Sequence, residues 1–508
     1  MLMRINKKGI WTEREWLGLV LPLIVVEFIG FKSLYPYADY FTDSYSYIQA
    51  AANQDAISFR PIGYSLFLRL VHAFAASDTL VVTLQYFLVQ GASLWLVLWL
   101  RRWCGLKEGI VAVLVAFVLL DPVIPYVCNY ISSDALFIGL SLIWLTLLMG
   151  LLREPCWWRL GLQLVLLFAI FHLRYVALFY PAVAALTVLL TRRGWVFRVT
   201  GVAASVGVVV GGMLWVRAIT KRETGADLFS AFSGWQIANN ALNVYAHIPV
   251  DTVGLPSPEC RELAGIVKNY FEGGLRVSDG DSGIRAVGAV GTTEVGVTSE
   301  VGAAETRAAP GATTAYMWLR SSPLHQYLRA YRRRGRLSYF DAWNRVGVVF
   351  SQYGYFVAKK HPVSFLYYYG WPSAKTFFWM DLDNIAAFNE GKPNFDVLAK
   401  KWFHYPDVRV KVYSASLQGK LLAPMPGIYF LLNIAFGISA LLFLPFAALR
   451  ERDPVFTGTF RVASAFLLAN AFFGIFASPS VFRYEVLPMI VLFVFSVCAV
   501  SKKMDFYS

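Results

Sequence analysis

Two aspartates and several tyrosines follow the first long apolar segment, where residues 38–47 read Ala-Asp-Tyr-Phe-Thr-Asp-Ser-Tyr-Ser-Tyr. Asp43, Tyr47 and Ala51 recur at intervals of four residues, so a helix would carry all three on one face. A carboxylate at the edge of a membrane span is suited to take a proton from a hydroxyl group that arrives from water. Asp43 is therefore the first candidate for a general base and Asp39 the second, with Tyr47 as a supporting residue.

Both aspartates also have an alternative role that involves no chemistry. Thr42, Asp43 and Ser44 all favour the N-cap position of a helix, where a short side chain accepts a hydrogen bond from a backbone N–H group. Asp39 would then be a solvated loop residue. These residue types taken alone favour the cap for Asp43.

Four residues at the edges of apolar segments are candidates for binding a phosphate group. Arg60 begins an Arg-Pro-Ile-Gly-Tyr sequence, which predicts an extended residue followed by a tight turn. Arg174 ends another apolar segment, and Arg483 with Tyr484 begins the last one. Guanidinium groups bind phosphate through paired hydrogen bonds, so arginines that face one rim would form a phosphate site. The alternative for each arginine is contact with lipid head groups.

Two further acidic residues lie within or beside apolar segments. Asp134 begins one such segment after two serines, a pattern that favours helix capping. The alternative is that it faces the same outer cavity as Asp43. Glu27 lies inside the first segment, where ionisable groups are usually functional or paired. It is predicted either to line the cavity below Asp43 or to form a hydrogen bond between helices.

The composition is that of a protein with many membrane spans. Of the 508 residues, 57% are hydrophobic and only 15% are charged, whereas about 25% of residues in soluble domains are charged. The net charge of +14 suits basic loops on one side of a membrane. Nucleic-acid binding is not expected, because no basic segment carries a recognition motif.

Apolar segments near the length of about 20 residues that spans a bilayer recur along the chain. There are ten, centred on residues 16–34, 79–100, 109–127, 134–152, 158–173, 175–191, 196–217, 427–449, 459–477 and 481–500. We therefore expect an all-α polytopic membrane protein. Lysines and arginines are concentrated in alternate loops, which predicts that both termini are cytoplasmic and that the loop carrying Asp43 is outside.

This topology divides the sequence into three parts. Residues 1–217 form a transmembrane module whose first outer loop, 35–78, carries Asp43; residues 218–426 form an outer, mainly helical domain; residues 427–508 form the last transmembrane helices. Within the outer domain, residues 278–314 are rich in Gly, Ala, Val, Thr and Glu and lack aromatic residues. That composition predicts a mobile loop.

Taken together, these motifs resemble the GT-C superfamily of integral membrane glycosyltransferases, which includes protein mannosyltransferases and lipid A aminoarabinose transferases. The motifs that carry the resemblance are Asp43-x-x-x-Tyr47-x-x-x-Ala51, Arg60-Pro61-x-Gly63-Tyr64-x-x-Phe67, Ser133-Asp134-x-Leu136-Phe137 and Arg483-Tyr484-x-x-x-Pro488. Many family members have two adjacent acids in the first outer loop, whereas Ser44 follows Asp43 here.

The resemblance implies a GT-C-like N-terminal module and catalysis on the periplasmic face of a bacterial cytoplasmic membrane. The donor would be a sugar linked to a polyprenyl phosphate, and the acceptor a glycan, lipid or protein. Asp43 would be the base, and no metal or other cofactor is expected. The donor phosphate would be bound by Arg60, Arg174, Arg483 and Tyr484.

Two other classes of function compete with a transferase. A lipid or glycan transporter or flippase would carry repeats, or charged residues near the middle of several spans, and Glu27 is the main residue of that kind. An O-antigen ligase or polymerase would use arginines and a histidine in a late outer loop. The histidines available for that role are His325, His361 and His404.

Overall fold

The computed structural model describes residues 11–272, 315–443 and 453–507. Within these residues the chain is helical, with two isolated β-bridges and no strand. The all-α class predicted from the apolar segments is confirmed. The predicted mobile loop, residues 278–314, lies outside the described residues.

The helices are numbered here in chain order. The N-terminal helices are α1 (Glu13–Leu34), α2 (Thr42–Asn53), α3 (Gly63–Phe74), α4 (Asp78–Cys104), α5 (Glu108–Leu120), α6 (Val123–Asn129), α7 (Asp134–Arg153), α8 (Trp157–Leu173), α9 (Tyr180–Leu190) and α10 (Trp195–Thr224). The middle helices are α11 (Ser233–Tyr245), α12 (Pro258–Glu272), α13 (Ala315–Trp318), α14 (Pro323–Gly335), α15 (Tyr339–Lys360), α16 (Pro362–Phe365), α17 (Trp371–Phe378) and α18 (Val397–Phe403). The last helices are α19 (Leu417–Leu422), α20 (Met425–Phe443), α21 (Pro454–Phe476) and α22 (Val486–Tyr507).

Among the described residues, seven helices are long and apolar enough to cross a membrane, or eight if the bent pair α5 and α6 is one span. A polytopic membrane protein is therefore supported, but the predicted count of ten spans is not confirmed. Two of the predicted segments form shorter apolar helices, Trp157–Leu173 and Tyr175–Leu190. A helix of 17 residues such as α8 is about 25 Å long, which is shorter than the hydrocarbon core of about 30 Å.

Local sequence explains where the helices beside the outer loops begin and end. The Ser77 hydroxyl accepts a hydrogen bond of 3.2 Å from the Leu80 N–H group and starts α4. Gly105, with a φ of +60°, ends the same helix. Asp121 precedes a proline, and its carboxylate accepts the Val123 N–H group at 2.9 Å. The chain bends by 42° between α5 and α6 at that point, so the aspartate and the proline end α5.

Two hydrophobic cores organise the described residues. The larger core joins the transmembrane helices, and the smaller core joins α11, α12, α14 and α15 of the predicted outer domain. In the smaller core, Trp235 stacks on Trp343 with ring centroids 3.6 Å apart. Each indole N–H group donates to a backbone carbonyl, Trp235 to Trp343 at 3.2 Å and Trp343 to Ala231 at 2.8 Å. These buried donors are therefore satisfied.

The last part of the predicted outer domain belongs to the larger core instead. Residues 379–416, called the cap segment below, pack on the first outer loop. The hydroxyl groups of Tyr40 and Tyr405 lie 2.6 Å apart. The Asn389 N–H group donates to the Asp39 carboxylate at 2.7 Å. The cap segment therefore helps to hold the loop that carries the candidate base.

Cysteine labelling tests the orientation of this fold in the membrane. Asn53→Cys, at the exposed end of α2, is expected to react with a membrane-impermeant maleimide in intact cells. Lys107→Cys, between α4 and α5, should react only after permeabilisation, because basic loops stay in the cytoplasm. Both variants need a Cys156→Ser background, since Cys156 is the one native cysteine that is not buried. The opposite labelling pattern would contradict the predicted orientation.

Candidate functional site

Asp43 binds arginines and does not cap its helix. The N-cap residue of α2 is Phe41, so Asp43 lies in the first turn. Its Oδ1 accepts a hydrogen bond from Arg60 Nη2 at 2.5 Å, and its Oδ2 accepts one from Arg483 Nη2 at 3.2 Å. The capping alternative for Asp43 is wrong in this structure. The helical spacing is confirmed, because Tyr47 and Ala51 follow on the buried side of the same helix.

The Arg-Pro-Ile-Gly sequence places Arg60 against Asp43. α3 begins at Gly63, and a Cβ atom there would lie 2.5 Å from the His172 carbonyl oxygen. The glycine is therefore needed for a close approach between α3 and the end of α8, whereas the sequence pattern predicted that it serves a tight turn. The guanidinium carbon of Arg60 also lies 4.5 Å from the centre of the Phe232 ring. Arg60 is thus held between the outer loop and the outer domain.

Asp134 joins the same cluster from the start of α7. Ser133 is the N-cap residue of α7 without a capping side-chain bond. Asp134 accepts a hydrogen bond from Ser132 Oγ at 2.7 Å and pairs with Arg174. Its Oδ2 also lies 3.7 Å from Arg483 Nε. The capping role that the sequence favoured for Asp134 is therefore wrong, and its alternative placement near Asp43 is the one observed.

Tyr484 connects two of the arginines. The guanidinium carbon of Arg174 lies 3.9 Å from the centre of the Tyr484 ring, and Arg483 Nη2 donates to the Tyr484 hydroxyl at 3.2 Å. On the opposite side, the hydroxyl groups of Tyr47 and Ser133 are 2.9 Å apart. Four chain segments that are far apart in sequence therefore meet at one point. We call this group of residues the arginine cluster; it comprises Asp43, Arg60, Asp134, Arg174, Arg483 and Tyr484.

The arginine cluster has more positive than negative groups in direct contact. Three guanidinium groups pair with two carboxylates. The Arg483 side chain is only 7% exposed, and its Nη1 has no hydrogen-bond acceptor among the described residues. A buried donor without a partner is costly and rare in folded proteins. An acceptor from a ligand or a water molecule would satisfy this donor.

A pocket opens beside Arg483 and Arg174. Its polar lining includes Asp134, Tyr484 and Glu485 as well as the two arginines. Its apolar lining comes from Phe137, Ile138, Val176 and Phe473. A polar end beside an apolar wall suits a ligand with an anionic head and a hydrocarbon chain.

Sequence reasoning missed two acidic residues beside the arginine cluster. Glu485 is buried and accepts hydrogen bonds from Tyr429 at 3.0 Å and from Asn470 at 2.9 Å. The sequence did contain an indication of Glu485, because it is an ionisable residue at the start of an apolar segment. Asp383 belongs to the cap segment; burial raises the pKa of its carboxyl group, and the positive charge of Arg483 opposes that rise. No local sequence feature indicated this second residue.

Three of the predicted site residues lie outside the arginine cluster: Tyr47, whose hydroxyl group contacts Ser133, Glu27 and Asp39. Glu27, in α1, accepts a hydrogen bond from the Tyr86 hydroxyl at 2.6 Å. This contact corresponds to the interhelical hydrogen bond that was the alternative for Glu27. Asp39 is buried under the cap segment, where it accepts backbone N–H groups of Tyr40 at 2.8 Å and Asn389 at 2.7 Å. The expectation of a solvated loop aspartate at position 39 is therefore wrong.

Asp39 is predicted to make the stability of the protein depend on pH. Burial raises the pKa of Asp39 to about 7, and hydrogen bonds from the backbone N–H groups of Asn389 and Tyr40 oppose that rise. The folded protein thus holds this proton more tightly than the unfolded chain does. The contribution to stability is complete below the ordinary pKa of 3.8 and is lost as the pH rises through about 7.

Asp39→Asn is expected to abolish this loss of stability at rising pH, because asparagine carries no charge at any of these pH values. The check is the melting temperature in nanodiscs at pH 5 and pH 8.5 for both proteins. Between the two values the wild type should lose more stability than the variant, by about 1.4 kcal/mol for each pH unit between pH 5 and the raised pKa of Asp39. An equal loss in both proteins would contradict the assignment to Asp39.

Within the described ranges, no group of three or more His, Cys, Asp or Glu side chains is arranged to hold a metal ion. The fold and site define the class of protein: an α-helical polytopic membrane protein with a buried group of arginines and aspartates at the ends of several helices. Comparisons with family models, with curated proteins and with solved structures found no match to the chain.

Proposed function

We propose that the protein is a glycosyltransferase that moves a sugar from a polyprenyl-phosphate donor to an acceptor hydroxyl group. The observation that supports this most directly is the buried Arg483 Nη1 without an acceptor, beside a pocket with a polar end and an apolar wall. A lipid-linked phosphate matches both parts of that pocket. The resemblance of the motifs to GT-C enzymes agrees with the same ligand.

The donor phosphate binds between Arg174 and Arg483. The Arg483 contact with Asp43 is the longer of the two arginine contacts, 3.2 Å against 2.5 Å for Arg60. The phosphate therefore displaces Asp43 from Arg483 more readily than from Arg60. Asp43 then keeps one arginine partner and gains one free carboxylate oxygen, which can accept a proton.

The transfer step forms one bond and breaks one bond. The acceptor oxygen attacks the anomeric carbon, its proton passes to Asp43, and the bond between that carbon and the phosphate oxygen breaks. The departing electron pair stays on the lipid phosphate, whose added negative charge is stabilised by Arg174 and Arg483. Asp43 later returns its proton to the phosphate or to water. The products are the glycosylated acceptor and the free polyprenyl phosphate.

The proposed setting is the periplasmic side of a bacterial inner membrane, with both termini in the cytoplasm. A donor that carries its sugar on a lipid suits this side, because nucleotide sugars are not available there. The acceptor is a glycan, lipid or protein. The transfer step as written uses side chains of the described residues and no added cofactor.

The test uses purified protein in nanodiscs with a polyprenyl-phosphate sugar labelled in the sugar. Transfer of label to a hydroxyl acceptor, with release of polyprenyl phosphate, is the expected result. Movement of the intact donor between leaflets without cleavage would contradict the proposal and support a transporter. Cleavage of a diphosphate-linked glycan, with the monophosphate donor inert, would instead support a ligase or polymerase.

A further inference from the structure

A second and larger pocket is lined by Arg60 of the arginine cluster. It lies between α10, the loop before α3 and the predicted outer domain. Its lining includes Arg60, His172, Tyr175, Trp215 and Asn344. We propose that this pocket binds the acceptor, and that the acceptor is an amphiphile whose head group carries sugar hydroxyl groups. This inference rests on the proposed transferase function.

The position of the pocket relative to Asp43 supports its role as the acceptor site. Asp43 Oδ1 contacts Arg60, which lines this larger pocket, and Asp43 Oδ2 contacts Arg483, which lines the smaller one. Asp43 itself lines neither pocket, but it bridges an arginine of one pocket and an arginine of the other. After the donor phosphate has displaced Asp43 from Arg483, the free Oδ2 can take the proton of an acceptor bound beside Arg60, while the leaving group departs beside Arg483.

His172 supplies a polar group that the fold itself does not use. Its Nδ1 lies 2.9 Å from the Phe168 carbonyl oxygen, and because that oxygen can only accept, Nδ1 carries the proton. In the neutral ring Nε2 is then an acceptor, and it is buried without a hydrogen-bond partner among the described residues. A hydroxyl group in the pocket is the donor that would satisfy it.

The walls of the pocket indicate the rest of the ligand. Aromatic rings from Tyr175, Trp215 and Phe229 line it, and flat aromatic rings pack well against the apolar C–H faces of sugars. Trp215 belongs to the membrane-spanning helix α10 and is 54% exposed. Tryptophan favours the interface between lipid and water. The pocket is therefore continuous with a surface that faces lipid, where the chain of an amphiphile would lie.

The experiment uses decyl β-D-glucoside with a diazirine in its chain as the probe, with the protein in nanodiscs. Photolabelling should concentrate on peptides that contain residues 215–220 and 229–231. Ala56→Trp narrows the pocket from its exposed mouth and should reduce this labelling at least fivefold. Ala52→Trp is the matched control, because Ala52 is also exposed but does not line the pocket. Ala52→Trp should be photolabelled to the same extent as the wild type.

Kinetics separate a failure of this inference from a failure of the proposed function. In the transfer assay Ala56→Trp should raise the KM for decyl glucoside about tenfold and leave the KM for the polyprenyl-phosphate donor unchanged. An active wild type with an unchanged acceptor KM in Ala56→Trp, or labelling concentrated on residues 473–484, would overturn the acceptor site and leave the transferase intact. A wild type without transfer to any acceptor would instead overturn the proposed function itself.

Discussion

Asp43→Asn is expected to lower the turnover number for sugar transfer by about 10²–10⁴, the usual contribution of a positioned acid or base. Asparagine has nearly the size of aspartate and keeps one oxygen that accepts hydrogen bonds, but its amide does not take up the acceptor proton. The KM for the polyprenyl-phosphate donor should change far less. The measurement is steady-state transfer of labelled sugar in nanodiscs.

The same substitution is also expected to destabilise the protein. Asp43 is 13% exposed and pairs with Arg60 and Arg483, so its loss leaves the buried guanidinium group of Arg483 and the partly exposed one of Arg60 short of one carboxylate. Removing one partner of a buried ion pair typically costs about 3–5 kcal/mol. Asp134→Asn is the matched control, because Asp134 is also buried and also contacts Arg483. If the loss of transfer is proportional to the loss of stability in both variants, Asp43 has only a structural role.

Azide distinguishes the proposed base from a structural carboxylate. Azide is an anionic nucleophile with no proton to lose, so its attack on the donor needs no base. It is expected to restore turnover in Asp43→Asn as a glycosyl azide product and to give little gain in Asp134→Asn. A stable and fully active Asp43→Asn would contradict the role of Asp43. If Asp39→Asn were then inactive, the base would be Asp39.

The helix that carries Asp43 could be predicted from sequence because its information is local. The interval of four residues between Asp43, Tyr47 and Ala51 depends only on the period of a helix. The ends of the apolar segments depend on nearby serines, glycines and prolines in the same way. The structure has helices at these places, including the start of α3 at Gly63.

The partners of Asp43 could not be predicted in the same way. Arg483 is 440 residues away from Asp43 in the chain, and Asn389 is 350 residues away from Asp39. Contacts of this kind depend on how α1–α10 pack against the last helices, which no local pattern describes. Pairing also explains why the capping expectation for Asp134 was wrong. A carboxylate beside buried arginines gains more from them than from a backbone N–H group that water can satisfy.

For the predicted outer domain, residues 218–426, the sequence also predicted only part of the packing. These residues were predicted to be mainly helical, and α11, α12, α14 and α15 form a helical core there. The cap segment has the same kind of composition but packs on the first outer loop, through Tyr405 and Asn389 among others. Composition indicates that a segment is buried, but the surface that buries it depends on the tertiary fold.

Arg483→Lys is expected to weaken the binding of free polyprenyl phosphate at least tenfold and to lower transfer by about 10²–10³, the usual effect of removing one donor that stabilises developing negative charge. Lysine keeps the positive charge but loses the planar fork that contacts Asp43, Asp134 and Tyr484. The free Nη1 donor is lost as well. Product inhibition by polyprenyl phosphate measures the first effect, and the rate of sugar transfer measures the second.

Arg60→Lys is the matched control for this prediction. Arg60 also pairs with Asp43, but it lines the other pocket, so its replacement should leave the binding of polyprenyl phosphate unchanged. A ligand that binds only the folded protein raises its melting temperature, which gives a readout that does not depend on turnover. Polyprenyl phosphate should stabilise the wild type and Arg60→Lys and have little effect on Arg483→Lys. Equal stabilisation of all three proteins would show that the lipid phosphate does not bind at Arg483, because the variant would then have lost no contact with it.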